Sequence, residues 1–197
     1  MKKGNDLSHW NKDEIFKKCY DLSEFVILKA TEGTTMKDNT FRDRIDKCIK
    51  KGKNVGAYHF YSANYNIEWQ AENFISCVMD SFLKVKDFHN YEKIPYMLAL
   101  DVENCNINMN RINEFLDYVE SLLNQRPIVY MCLSDYILNQ LYKDKKNKYW
   151  ISAYSRKTDD IFKYDNVIMH QNSNKTTFGN KILSLDSDIY RYDEFLF

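Results

Sequence analysis

Asp101-Val102-Glu103 ends the apolar run Pro95-Tyr96-Met97-Leu98-Ala99-Leu100. Side chains alternate along an extended strand, so the two acids project from one face, about 7 Å apart. Crowding and partial burial raise the pKa of at least one of them, and no basic residue stands beside them in sequence to offset this. A carboxyl that holds its proton near neutral pH can serve as a general acid. The same tripeptide at a frayed strand end is only two surface acids, and paired acids also occur in structural networks, so the chemistry depends on what else the fold brings nearby.

The elements that must position the pair follow a βα grammar. Strand-like runs cover residues 5–8, 25–30, 55–61, the segment ending at Asp101, 128–132, 149–154, 167–171 and 182–190. Helical spacing falls between the first five: near residues 12–20, at 40–51 (Phe41, Ile45, Cys48, Ile49, with Gly52 as stop), at 67–83 (Trp69, Phe74, Val78, Phe82) and at 110–123 (Ile112, Phe115, Leu116, Val119, Leu122). Residues 134–142 hold at most a short helix, and little helix is expected among the last three strands. Five βα units followed by three β segments give eight strands, the first five parallel, and closing them makes an α/β barrel.

Active sites of such barrels lie at the C-terminal strand ends. Those ends supply Asp6, Lys29 and Glu32, Tyr58 and His59, Asp101 and Glu103, Tyr130, Trp150 to Tyr154, His170 and Gln171, and Asp186 with Asp188. Closure makes the first and last strands neighbours and brings Asp6 to Asp186. Converging carboxylates have no use in a packed core, because desolvating them is costly. His59 and His170 read as structural histidines.

Composition narrows the function classes. The 197 residues suit one domain spanning 1–197, and 28 basic against 28 acidic side chains leave no net charge to attract nucleic acid or anionic lipid. Five scattered cysteines, Cys19, Cys48, Cys77, Cys105 and Cys132, lack the spacing of a zinc site or a disulfide framework. Met1-Lys2-Lys3 leads into Gly4-Asn5-Asp6 with no apolar stretch behind it, so neither a secretion signal nor membrane insertion is expected. Fifteen Tyr, twelve Phe and three Trp suit a carbohydrate cleft, since flat rings with polar edges stack on sugar faces.

The chain resembles the glycoside hydrolase family 25 muramidases along nearly its whole length. The resemblance is carried in order by Gly4-Asn5-Asp6-Leu7-Ser8, Phe25-Val26-Ile27-Leu28-Lys29-Ala30-Thr31-Glu32-Gly33, Val55-Gly56-Ala57-Tyr58-His59-Phe60, Leu100-Asp101-Val102-Glu103, Ile128-Val129-Tyr130, Trp150-Ile151-Ser152-Ala153-Tyr154 and Leu185-Asp186-Ser187-Asp188-Ile189-Tyr190. There are two departures. His170-Gln171 stands where the family usually has Trp-Gln, which removes an aromatic wall near the sugar, and Asp188 stands where it usually has Asn, which adds a negative charge near Asp186.

The resemblance implies a TIM-like (β/α)5(β)3 barrel that hydrolyses the β-1,4 bond between N-acetylmuramic acid and N-acetylglucosamine in peptidoglycan, with neither cofactor nor metal. Glu103 is then the general acid. Asp101 either holds the 2-acetamido group or positions water, and Asp6 and Asp186 set the field at the developing oxocarbenium ion. Tyr58, Tyr130, Trp150, Tyr154 and Gln171 line the substrate cleft, while Lys29 and Glu32 either contact substrate or form an ion pair at the rim. The expected partner is the peptidoglycan glycan strand. A monomer without a separate wall-binding domain is expected, held in the cytoplasm until a holin releases it. Two other readings stay open: a metal-dependent hydrolase using the same acids, and a non-catalytic peptidoglycan-binding module.

Overall fold

Alternating and helical burial patterns in the sequence become strands and helices in the computed structural model, which describes residues 1–82, 97–103 and 107–193. Leu83, Pro95, Tyr96 and Cys105 lie outside the described residues. The chain runs β1 (Lys2–Leu7), α1 (Asp13–Leu22), β2 (Phe25–Glu32), β3 (Met36–Lys37), α2 (Phe41–Lys50), β4 (Asn54–Phe60), α3 (Ile67–Phe82), β5 (Met97–Asp101) and α4 (Met109–Leu123). It continues through β6 (Ile128–Cys132), α5 (Leu133–Leu138), β7 (Tyr149–Ser152), α6 (Thr158–Phe162), β8 (Val167–Phe178) and β9 (Lys181–Tyr190).

The sheet order β1-β9-β8-β7-β6-β5-β4-β2 closes on itself because β2 also pairs with β1. This is the eight-stranded barrel expected from the βα grammar. Parallel pairing runs further than the first five strands, through β7 to β8, because the short helix α6 returns the chain between them. Among the eight described barrel strands only β9 is antiparallel to its neighbours, β8 on one side and β1 on the other. The short strand β3 pairs antiparallel with the end of β2.

Strand β8 is longer than the apolar pattern indicates. Past Gln171 it continues as a hairpin with β9, closed at Gly179 with φ +59°, a left-handed conformation that glycine adopts without steric cost. Residues 172–178 are mostly polar, so hydrophobic alternation stops there although backbone pairing does not.

Two apolar layers hold the barrel. Outside it, helices pack on the sheet through residues such as Phe41, Ile45, Phe74, Phe115 and Val119, all essentially inaccessible. Inside, Phe25, Ile27, Met97, Ala99, Met169 and Tyr190 fill the floor. Gly4 is required there, because a Cβ at that position would strike the Phe25 ring. Helix α4 begins at Asn108, whose side chain accepts from Asn110 N at 3.1 Å and Arg111 N at 3.3 Å.

Two large side chains lie off their expected stripe. Trp69 is exposed and Gln70 is buried in its place, and Leu122 is exposed while Leu123 packs inward. Five residues separate Trp69 from Phe74, about 140° around a helix, so the two cannot share a face.

Candidate active site

Each barrel strand turns alternate residues inward, and above the apolar floor these become polar. The resulting cavity of about 250 Å³ is lined by Asp6, Lys29, Tyr58, Asp101, Glu103, Tyr130, Trp150, Tyr154, Gln171 and Asp186, joined by Ser8, Trp10 and Phe60. Ten of the eleven residues proposed from sequence therefore meet in one place. The eleventh, Glu32, lines an adjoining groove that shares Phe60 and Glu103 with the cavity, and it pairs with Lys29 at 2.6 Å. The ion pair at the rim forms, and its lysine end faces the cavity.

Strand β5 ends at Asp101, yet the chain stays extended beyond it. Tyr61 N donates to Asp101 O and Val102 N donates to Tyr130 O, both at 2.9 Å, continuing the ladder on either side. These bonds keep Asp101 and Glu103 on one face. Asp101 is buried and its Oδ1 has no hydrogen-bond partner among the described residues, whereas Glu103 is partly exposed at the cavity edge.

Across the barrel, a chain of hydrogen bonds fixes the remaining acids. Gln171 Nε2 donates to Asp6 Oδ2 at 2.8 Å, and Gln171 Oε1 accepts from the Tyr130 and Tyr154 hydroxyls at 2.9 and 2.8 Å. Tyr154 Oη also lies 3.4 Å from Asp186 Oδ1. Trp150 Nε1 donates to Asp188 Oδ1 at 3.0 Å.

This is a dense set of acids beside a single lining cation among the described residues, Lys29. Burial raises Asp101 well above the ordinary carboxyl range, with Glu103 and Asp6 adding repulsion that Lys29 offsets only in part. Asp6 is pushed up to about 7, first by burial and then by Asp186, with the Gln171 amide and the neighbouring Asp188 opposing the rise. Asp186 is raised by burial. Crowding therefore shifts the acids as the sequence indicates, and it acts across strands as well as along one.

The two departures from the family pattern change meaning here. His170 does not face the cavity: its ring is buried outside the barrel, with Nε2 3.1 Å from Ala153 O, Nδ1 3.2 Å from Thr158 Oγ1 and its edge against Phe162. Alternation puts Gln171 inside and its neighbour outside. Asp188 is wholly buried, and burial together with the facing Asp6 raises it well above the usual range, which works against the negative charge expected near Asp186. His59 is structural, buried between Thr31, Gln70 and Phe115 and held down to about 3 by desolvation.

Sequence reasoning missed Trp10, which is 82% exposed at the cavity rim. Its loop is anchored from behind. Asp38 accepts from His9 N at 2.8 Å and lies 2.9 Å from His9 Nδ1, and Arg44 donates to Ser8 O and Asn11 O at 2.9 and 2.6 Å. Burial favours a protonated Asp38, but the bonds from Thr40 and His9 outweigh it and hold the carboxyl below its ordinary range. The available signal was position, because the loop after β1 must rim a barrel site.

The model of Glycosyl hydrolases family 25 matches residues 5–180. The chain belongs to this family.

Solved structures similar to this family 25 chain include a family 25 glycosyl hydrolase from Bacillus anthracis, with a TM-score of 0.73 at 21% identity over 98% of this chain and 90% of that one. A muramidase from Trichobolus zukalii gives 0.72 at 21% identity over 98% and 95%. Among curated relatives, the autolytic lysozyme of Clostridium acetobutylicum is 30% identical over 137 residues, 66% of this chain and 38% of that protein. The uncharacterized protein YegX of Escherichia coli K12 is 23% identical over 80% of this chain and 58% of its own length. The chain thus spans between about two fifths and three fifths of these two relatives.

Proposed function

We propose that this family 25 chain is a muramidase that hydrolyses the β-1,4 bond between N-acetylmuramic acid and N-acetylglucosamine in peptidoglycan. The observation that carries the reading is the meeting of Asp6, Asp101, Glu103 and Asp186, from three strands of a family 25 barrel, in one cavity walled by Tyr58, Tyr130, Trp150 and Tyr154.

Glu103, at the open edge of the cavity, protonates the glycosidic oxygen, which leaves poorly without a proton. Asp101 lies deeper in the cavity lining, and its carboxyl accepts the N–H of the 2-acetamido group, fixing the sugar against the reacting bond. Charge then develops at the anomeric carbon. Asp6 and Asp186, held by Gln171 and Tyr154, supply negative potential there when ionised. The aromatic walls hold the pyranose by its apolar faces, and Trp10 extends them at the rim.

The assay that separates this reading from the other two is release of reducing sugar from purified peptidoglycan, with and without EDTA. Equal release in both conditions is the expected result. Loss with chelator would favour a metal-dependent hydrolase, and binding without any release would leave a wall-binding module.

A further inference from the structure

Asp188 is wholly buried, yet it has only one conventional hydrogen-bond donor among the described residues, the Trp150 indole on Oδ1. Its Oδ2 is sealed from solvent and meets no N–H or hydroxyl of the described residues. The group facing it is the carboxyl of Asp6, because Gln171, which pairs with Asp188 across the β8–β9 ladder, donates to Asp6 Oδ2 at 2.8 Å. The strands explain the meeting: Asp188 pairs with Gly4 on β1 and with Gln171 on β8, so it stands between the two strands whose side chains frame Asp6.

Two ionised carboxylates in contact in a water-poor interior repel strongly, whereas with one proton between them the contact becomes a short, charge-assisted hydrogen bond. The surroundings decide where that proton sits. Asp6 already receives the Gln171 amide on Oδ2, which favours its ionised form. Asp188 receives one indole N–H and is the more deeply enclosed of the two. The other titratable group of its own strand turned this way is Asp186, whose charge further disfavours a second anion. Strand β7 presents the Trp150 indole and β8 the Gln171 amide, neither of them a cation, and the lining cation Lys29 is paired with Glu32.

We propose that Asp188 is kept as the neutral acid and acts as a positioning residue, donating its proton to Asp6 so that the Asp6 carboxylate is clamped between Asp188 and Gln171. Burial and the facing Asp6 both raise Asp188, and the bond it gives lowers Asp6, the pattern such a clamp requires. The value of the clamp to catalysis rests on the muramidase reading. The place of the proton does not.

Carboxyl-carbon NMR of protein labelled with 13C-aspartate tests the proton directly, the Asp188 signal being assigned by its loss in Asp188→Asn. The expected result is an Asp188 signal at the protonated position throughout pH 5–8, while Asp6 titrates. An ionised Asp188 at pH 7 would overturn the proposal. Asp188→Asn keeps an N–H donor toward Asp6 and should retain activity within about threefold, whereas Asp188→Leu leaves the buried anion short of one bond and should lose about tenfold or more. The Asp6 midpoint should rise in the Leu variant and hold in the Asn variant. Equal losses in both variants, or an unmoved midpoint in Asp188→Leu, would reduce Asp188 to packing. Because the NMR readout needs no substrate, an inactive protein with a protonated Asp188 would sink the muramidase reading and leave the clamp standing.

Discussion

Glu103→Gln should fold as the wild type does and lose peptidoglycan-clearing activity by about 10² to 10⁴-fold, the range over which a positioned general acid contributes. The amide preserves the shape of the side chain and its polar contacts but has no proton to give. Among the described residues few interactions hold Glu103 that the change would break, since it stands partly exposed at the cavity edge with Asp101 behind it and the adjoining groove in front. Turbidity loss of a cell-wall suspension checks the rate, and thermal melting checks the fold. Clearing at the normal rate would remove Glu103 from the chemistry.

Asp6→Asn should damage activity and raise stability together. Asp6 ordinarily titrates near 3.8, and in the folded protein it is pushed up to about 7, so the unfolded chain releases this proton first as pH rises. The sign follows. Below about pH 4 the group is protonated in both states and costs nothing; between about 4 and 7 stability falls as pH rises; above about 7 the whole penalty is present. A displacement of that size corresponds to a penalty on the order of a few kcal/mol, shared with Asp186 and Asp188 because their titrations are coupled. Asparagine removes the ionisation while its carbonyl still accepts from Gln171. A melting temperature several degrees above wild type at about pH 8, converging with wild type near pH 4, is expected. Activity should fall at least tenfold, since one anion that steadies the developing positive charge is gone. A variant no more stable at pH 8 would mean that Asp6 is not under strain, and near-native activity would restrict it to structure.

Much of this site could be read from the residues because it depends on strand periodicity. Alternation alone puts Asp101 and Glu103 on one face, and barrel closure alone brings Asp6 to Asp186, whatever the helices do. The parts that could not be read depend on contacts between strands distant in sequence. Whether Asp188 is a charge or a hydrogen-bond donor is set by Asp6 and Trp150, which no local pattern joins to it. His170 and Gln171 are adjacent in sequence and point to opposite sides of the barrel wall, so treating the dipeptide as one motif misplaced the histidine. The β8–β9 hairpin carries polar side chains and is held by backbone bonds, which leave no hydrophobic signature. Trp10 sits in a loop with no periodicity at all, and only its place after β1 points to the cleft.

The most direct test of the central claim is mass spectrometry of purified peptidoglycan after digestion and borohydride reduction, which marks the sugar at each newly exposed reducing end. Cleavage by the clustered acids as described yields fragments ending in reduced N-acetylmuramic acid, and Glu103→Gln yields almost none. Fragments ending in reduced N-acetylglucosamine, or freed peptides with the glycan intact, would contradict the account.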